Sequence, residues 1–239
     1  MVELELQDGL AVVTIDRPHA RNAIDPHTMG ELEKALDAAE GARALAVTGS
    51  GEKAFVSGGD LKELARLRTE GEASDMALRM RALCDRIAAY PGPVVAALNG
   101  HALGGGAEVA VAADIRVAAD DIRIGFNQTK LAIVPAWGGG ERLARLVGPG
   151  RALLLAGTGQ VLAAAEAERL GLVDLVLPRA RFAVGWRELA RSLATPQARE
   201  IKNLTTRNRP AREAAGAFAR LWVSEEHWEA AERVMSRGK

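Results

Sequence analysis

Two short apolar runs, residues 44–48 and 94–98, each lead into a glycine-rich corner that ends in an acid. The first corner reads Ala54-Phe55-Val56-Ser57-Gly58-Gly59-Asp60-Leu61, and the second reads Asn99-Gly100-His101-Ala102-Leu103-Gly104-Gly105-Gly106-Ala107-Glu108. A helix-like pattern follows each. A buried strand, a sharp turn and a helix that recur about fifty residues apart constrain the chain to α/β layering. Glycine turns the backbone sharply and lets a ligand approach bare N–H groups. Two such corners can aim two donors at one oxygen, which is how an oxyanion hole is built. Glu108 then stands beside the developing charge, a combination suited to work on a carbonyl or thioester.

The rest of the chain supplies matching elements. Asp8-Gly9 sits between alternating apolar runs and reads as a hairpin turn. Asp25 offers a helix N-cap with Pro26 at the first helical position, ahead of Met29, Leu32 and Leu36 at helical spacing. Residues 74–90 read as a long helix stopped by Pro91-Gly92-Pro93. Residues 115–117 and 122–124 read as strands, and Trp137-Gly138-Gly139-Gly140 opens a further helix. Composition shifts at Pro178. The expected domains are therefore a core over 1–178 and a helical, Ala-, Arg- and Glu-rich subdomain over 179–239, with Phe218, Trp222 and Trp228 as its aromatics.

Composition excludes several classes. The chain of 239 residues is 48% apolar, ample for a core. Lys+Arg and Asp+Glu both number 31, so no global charge favours nucleic acid or an anionic membrane as partner. The only cysteine, Cys84, permits no internal disulfide, and its apolar neighbours suit a small buried side chain better than a nucleophile. His19, His27, His101 and His227 show no metal-ligand spacing. The acidic start Met1-Val2-Glu3 lacks a signal-peptide core, and no run approaches the roughly 20 apolar residues that span a bilayer. A cytoplasmic protein is the expectation.

One competing motif is weak. Gly49-Ser50-Gly51-Glu52-Lys53-Ala54 matches a dinucleotide fingerprint, but Phe55-Val56-Ser57-Gly58-Gly59 is a poor helix start where the fingerprint needs one. No phosphate-binding P-loop and no nucleophile elbow occurs. The bland alternative for each glycine corner is tight packing of a turn. Glu108 alone is also explained as an acid complementing a helix N-terminus, and Asp60 as a helix cap.

The two corners, together with Asp16-Arg17-Pro18, Arg21-Asn22-Ala23, Asp114-Ile115-Arg116-Val117-Ala118 and Pro135-Ala136-Trp137-Gly138-Gly139, resemble the crotonase superfamily, the enoyl-CoA hydratase/isomerase family. The resemblance covers essentially the whole chain. It implies an α/β spiral of ββα units with a helical C-terminal region that builds homotrimers, often paired into hexamers. It places the oxyanion donors on the N–H groups of Gly59 and Gly105, holding the thioester oxygen of an acyl-CoA as an enolate forms. It runs the CoA-binding surface along Arg21, Ala23 and Ile24, then Ser57, Gly58, Asp60 and Leu61. No cofactor or metal is implied beyond the CoA of the substrate, and no nucleic-acid or membrane partner.

The chain departs from the hydratase pattern at one position. Hydratases of this family use two glutamates; one falls on Glu108, the other on Gln128. An amide positions a water or bonds a carboxylate but does not exchange protons near pH 7. The Gln128 segment and Pro135-Ala136-Trp137-Gly138-Gly139-Gly140-Glu141-Arg142-Leu143 are similar to the ethylmalonyl-CoA and methylmalonyl-CoA decarboxylase branch, with Trp137 set to shape an apolar pocket. The sequence thus slightly favours decarboxylation of a short alkylmalonyl-CoA with Glu108 as acid. Hydration or double-bond isomerisation by Glu108 alone, and a catalytically weak acyl-CoA binder, are the alternatives.

Overall fold

The structure is a computed structural model that describes residues 1–206 and 210–237. The chain opens with the antiparallel hairpin β1 (Val2–Gln7) and β2 (Leu10–Ile15), turned at Asp8 and Gly9, both at positive φ. Helix α1 (Pro26–Ala38) follows. Asp25 caps it as the sequence predicts, accepting from Thr28 N–H at 2.7 Å and Thr28 Oγ1 at 2.8 Å.

The body is then a repeated strand–strand–helix turn. The strand β3 (Ala44–Gly49) is followed by β4 (Ala54–Val56) and the helices α2 (Leu61–Leu64) and α3 (Glu70–Ala88). Next come β5 (Val94–Leu98), β6 (His101–Leu103) and α4 (Gly105–Ala110), then β7 (Ile115–Ala119) and β8 (Arg123–Gly125). A 3-10 turn over Gln128–Leu131 leads to α5 (Gly139–Val147) and α6 (Pro149–Thr158). The last parts of the body are β9 (Val161–Ala163), α7 (Ala164–Arg169), β10 (Leu175–Leu177) and α8 (Arg179–Ser192).

Each turn contributes one strand to each of two sheets. One sheet runs β1-β2-β3-β5-β7-β10, parallel except for the opening hairpin. The other runs β4-β6-β8-β9, with β9 antiparallel to β8. This is the ββα spiral. Strands β3 and β5 are buried along their whole length, which parallel strands covered on both faces require.

Two details differ from the sequence reading. Each glycine corner contains a short strand of its own, β4 or β6, so the catalytic-looking glycines follow the second sheet and not the first. Residues after Gly49 enter β4 instead of a helix, which removes the dinucleotide-fingerprint reading. The long helix begins at Glu70, earlier than its apolar stripe suggests. A capping box fixes that start: Thr69 Oγ1 accepts from Glu72 N–H, and Glu72 Oε2 accepts from Thr69 N–H at 3.0 Å.

The chain forms two compact units, Met1–Ala194 and Thr195–Lys239. Helix α8 belongs to the first, beyond the composition shift at Pro178. The second unit holds α9 (Pro196–Thr206), α10 (Ala211–Trp222) and α11 (Glu225–Arg237). Within it, Trp222 stacks among Phe218, His227 and Trp228, with ring centroids 4.5 to 5.5 Å apart. No helix among the described residues is long and apolar enough to cross a membrane.

Candidate active site

The site is assembled from the ends of β4 and β6. After β4 the chain is pinned to the loop before α1: Ile24 N–H donates to Gly58 O at 2.8 Å, and Asp60 N–H donates to Ile24 O at 2.8 Å. That pairing consumes the peptide groups on either side of Gly59 and leaves its N–H facing away. After β6, Gly104 adopts φ +55° and ψ −119°, a conformation that a Cβ disfavours, and turns the chain into α4. Gly105 is then the first residue of that helix, where a backbone N–H has no intrahelical partner. Neither Gly59 N–H nor Gly105 N–H donates to an acceptor among the described residues.

Packing brings the two corners together. A Cβ built on Gly58 would stand 3.2 Å from Gly105 N. Trp137 closes the space beside them. Its ring lies so close to Gly105 that a Cβ there would meet Cζ3 at 2.2 Å, and a Cβ on Gly59 would sit 3.9 Å from Cζ2. Leu64 of α2 lies on the other side, 2.7 Å from the Cβ position of Gly59. Trp137 is 6% exposed, so it is both a core residue and a neighbour of both glycines.

Glu108 lies in the first turn of α4 and is 2% exposed. All three of its hydrogen-bonded neighbours donate. Gln128 Nε2 donates to Oε1 at 2.9 Å, while Trp137 N–H and Gly139 N–H donate to Oε2 at 2.7 and 3.0 Å. Gly139 has no room for a side chain, since a Cβ would fall 2.3 Å from Glu108 Cγ. Burial holds the Glu108 carboxyl above the ordinary carboxylate range, against the three donors Gly139, Trp137 and Gln128 and the nearby Ala136 N–H, which pull it down. A carboxylate held this way has the environment of a group that takes and returns protons. Gln128, at the start of its 3-10 turn, is also buried, and its Oε1 has no hydrogen-bond partner among the described residues. The departure noted in the sequence is thus an amide bonded directly to Glu108.

The remaining sequence candidates divide. Arg21 and Ser57 line a cleft of about 480 Å³ with Lys53, Glu52, His101 and Arg179, the last paired with Asp121. Ala23 and Ile24 are buried behind it, and Leu61 is exposed at the start of α2. Asp60 is occupied: it accepts from Lys62 N–H as the cap of α2 and pairs with Arg17 at 3.1 Å. Arg17 also pairs with Asp25 at 3.0 Å and donates to Ala23 O. It therefore braces the loop that holds Gly59, a role the sequence shows only as proximity of Arg17 to a proline turn.

Two buried asparagines act similarly. Asn22 Nδ2 donates to Ser50 O and Ala54 O at 3.0 and 2.8 Å. Asn99 Nδ2 donates to Gly51 O at 2.8 Å and its Oδ1 accepts from Gly49 N–H at 2.9 Å. Both fix the turn from β3 to β4. Cys84 is buried on α3 with its thiol pushed up to about 12 by desolvation, the state of an inert core residue. Among the described residues no cluster of three or more His, Cys, Asp or Glu converges on a metal-sized site.

Comparison with known proteins agrees with this architecture. The chain is 38% identical over 197 residues to the short-chain-enoyl-CoA hydratase of Clostridium acetobutylicum, covering 81% of this chain and 75% of the relative. It is 42% identical over 177 residues to the crotonyl-CoA hydratase of Syntrophomonas wolfei, covering 73% of this chain and 68% of that protein. Among solved structures, an enoyl-CoA hydratase from Bacillus anthracis superposes with a TM-score of 0.89 at 29% identity, over 99% of this chain and 96% of the other. The family model described as enoyl-CoA hydratase/isomerase matches residues 5–220. With its two-sheet spiral and two glycine corners around a buried glutamate, this chain belongs to the enoyl-CoA hydratase/isomerase family of the crotonase superfamily.

Proposed function

We propose that the protein hydrates short 2-enoyl-CoA thioesters, using Glu108 as its single acid–base group. The observation that carries this reading is the buried Glu108 carboxylate, gripped by three donors beside two glycine N–H groups without acceptors. In this reading the thioester oxygen lies between Gly59 N–H and Gly105 N–H. Glu108 takes a proton from water as the water oxygen bonds to Cβ. The electron pair of the double bond moves to Cα and the thioester oxygen, forming an enolate that the two donors stabilise. Glu108 then returns the proton to Cα, giving a 3-hydroxyacyl-CoA. Gln128 has no proton to exchange, so it orients Glu108 and the water. Each lost oxyanion donor is worth about 10²–10³-fold in rate.

The names of the relatives from Clostridium acetobutylicum and Syntrophomonas wolfei support hydration over the decarboxylation that the sequence slightly favoured. Decarboxylation of a short alkylmalonyl-CoA is the second reading, carried by Gln128 standing where a second carboxylate would be. It needs the same enolate and only one proton donor. In both readings the nucleotide half of CoA follows Arg21 and Ser57, where Arg21 and Lys53 offer positive charge to its phosphates. The chemistry asks for no further cofactor.

A trimer, or a pair of trimers, working in the cytoplasm completes the proposal. Leu131, Ile133, Val134, Leu153 and Leu154 are exposed on the first unit, an apolar surface suited to subunit contact. The test is loss of the conjugated enoyl absorbance of crotonyl-CoA on adding the protein. Turnover that Glu108→Ala abolishes supports hydration. An inert crotonyl-CoA, with CO₂ released from ethylmalonyl-CoA, moves the assignment to decarboxylation. Tight acyl-CoA binding with no turnover in either assay leaves a binder.

A further inference from the structure

Arg142 of α5 has no role assigned to it by its motif in the sequence or by the proposed reaction. Its guanidinium folds back over Gly138, where a Cβ would lie 2.4 Å from Nη1. Gly138 has φ +84°, the left-handed turn that starts α5. From there Arg142 makes two contacts. Nη1 donates to the carbonyl of Trp137 at 3.2 Å, and Nη2 pairs with Asp85 on α3.

Trp137 is also the residue whose N–H, in the preceding peptide, holds Glu108 Oε2. A continuous path of bonds therefore runs from Asp85 through Arg142 and the Trp137–Gly139 loop to Glu108. Arg142 is only 12% exposed, although its partner Asp85 is 54% exposed; in the tie from Arg81 to Glu141 at 2.7 Å between the same helices, both side chains are exposed, at 40% and 53%. A surface tie of that second kind contributes little. The charged and titratable groups around the path are Arg81, Cys84 and Asp85 on α3, Glu141 on α5 and Glu108 on α4.

We propose that Arg142 is a positioning residue: anchored by Asp85, it fixes the Trp137–Gly139 loop so that two N–H groups stay on Glu108 Oε2, tying the geometry of the reactive carboxylate to the placement of α3. The proposal rests on Glu108 being the acid–base group, but not on which acyl-CoA reaction it serves. Lysine does not replace arginine here, because one ammonium cannot reach a carbonyl and a carboxylate in the fork geometry that a guanidinium provides.

The experiment compares wild type with Arg142→Lys, Arg142→Gln and Asp85→Asn by titrating the ¹³C-labelled glutamate carboxyls, with Glu108→Gln used to assign the Glu108 signal. The titration is read in the free protein, so a wrong substrate assignment leaves it intact. All three variants are expected to titrate Glu108 at a higher pH than wild type, because burial is then opposed by looser hydrogen bonds. Turnover should fall by about 10- to 100-fold in kcat with KM nearly unchanged, the size expected of a small misplacement of a reacting group. An Arg142→Lys variant with the wild-type titration and kcat would reduce the role of Arg142 to its charge and overturn the proposal. An unshifted Glu108 in Arg142→Gln, or in Asp85→Asn if the former does not fold, would also overturn it.

Discussion

At the scale of single residues, the proposed reaction turns on Glu108 and Gln128. Replacing Glu108 by Gln keeps the shape and removes proton exchange, so kcat for the acyl-CoA reaction should drop by about 10²–10⁴-fold, read in a steady-state assay. Gln128→Glu should instead speed hydration of crotonyl-CoA, since it restores a second group able to handle the water proton. It also sets two carboxyls at hydrogen-bond distance, so one of them must titrate well above the usual range. The rate–pH profile should accordingly turn down at its acidic end at a higher pH than in wild type. Glu108 was legible in the sequence because it follows a glycine corner at the start of a helix. Its clamp was not: the donors Trp137 and Gly139 are some thirty residues away, and a backbone N–H carries no sequence signature.

At the scale of elements, the glycines that lead from β6 into α4 serve contact as much as conformation. Gly106 meets β4 so closely that a Cβ would fall 1.7 Å from Val56 O. Gly106→Ala should therefore destabilise the protein by about 1–3 kcal/mol in urea unfolding, through forced separation of α4 from β4. Gly105→Ala tests a different thing, because its Cβ would strike the Trp137 ring at 2.2 Å. Activity should fall further than stability does, as the ring moves beside the proposed oxyanion site. The opening hairpin, α1, β3, α3, β5, β7, β8 and the start of α5 were readable from the sequence, since apolar periodicity, Asp25-Pro26 and the Pro91-Gly92-Pro93 stop are local signals. The strands β4 and β6 are three residues each, too short for periodicity to mark. The links from Arg17 to Asp60 and from Arg142 to Asp85 join elements distant in the chain, and composition alone does not select one pair among many charges.

At the scale of the whole molecule, a buried carboxyl with an elevated folded-state pKa ties stability to pH. Between the unfolded and folded titration points the native state holds the extra proton, so stability falls as pH rises through that window. The full contribution is present only below the unfolded value, near 4.5. Glu108→Gln removes this dependence, and its thermal midpoint should exceed that of wild type at pH 7, with the gap narrowing toward pH 4.5. Such a trade of stability for a reactive group is the usual cost of a working site. The central claim remains that the two glycine corners and Glu108 convert an acyl-CoA thioester through an enolate by adding water. The most direct measurement is mass spectrometry of a panel of acyl-CoA thioesters incubated with the protein. Crotonyl-CoA should gain the mass of one water, and Glu108→Gln should not produce that gain at a comparable rate. A panel in which no thioester gains water, or in which the Glu108 variant turns over as fast as wild type, would contradict the account.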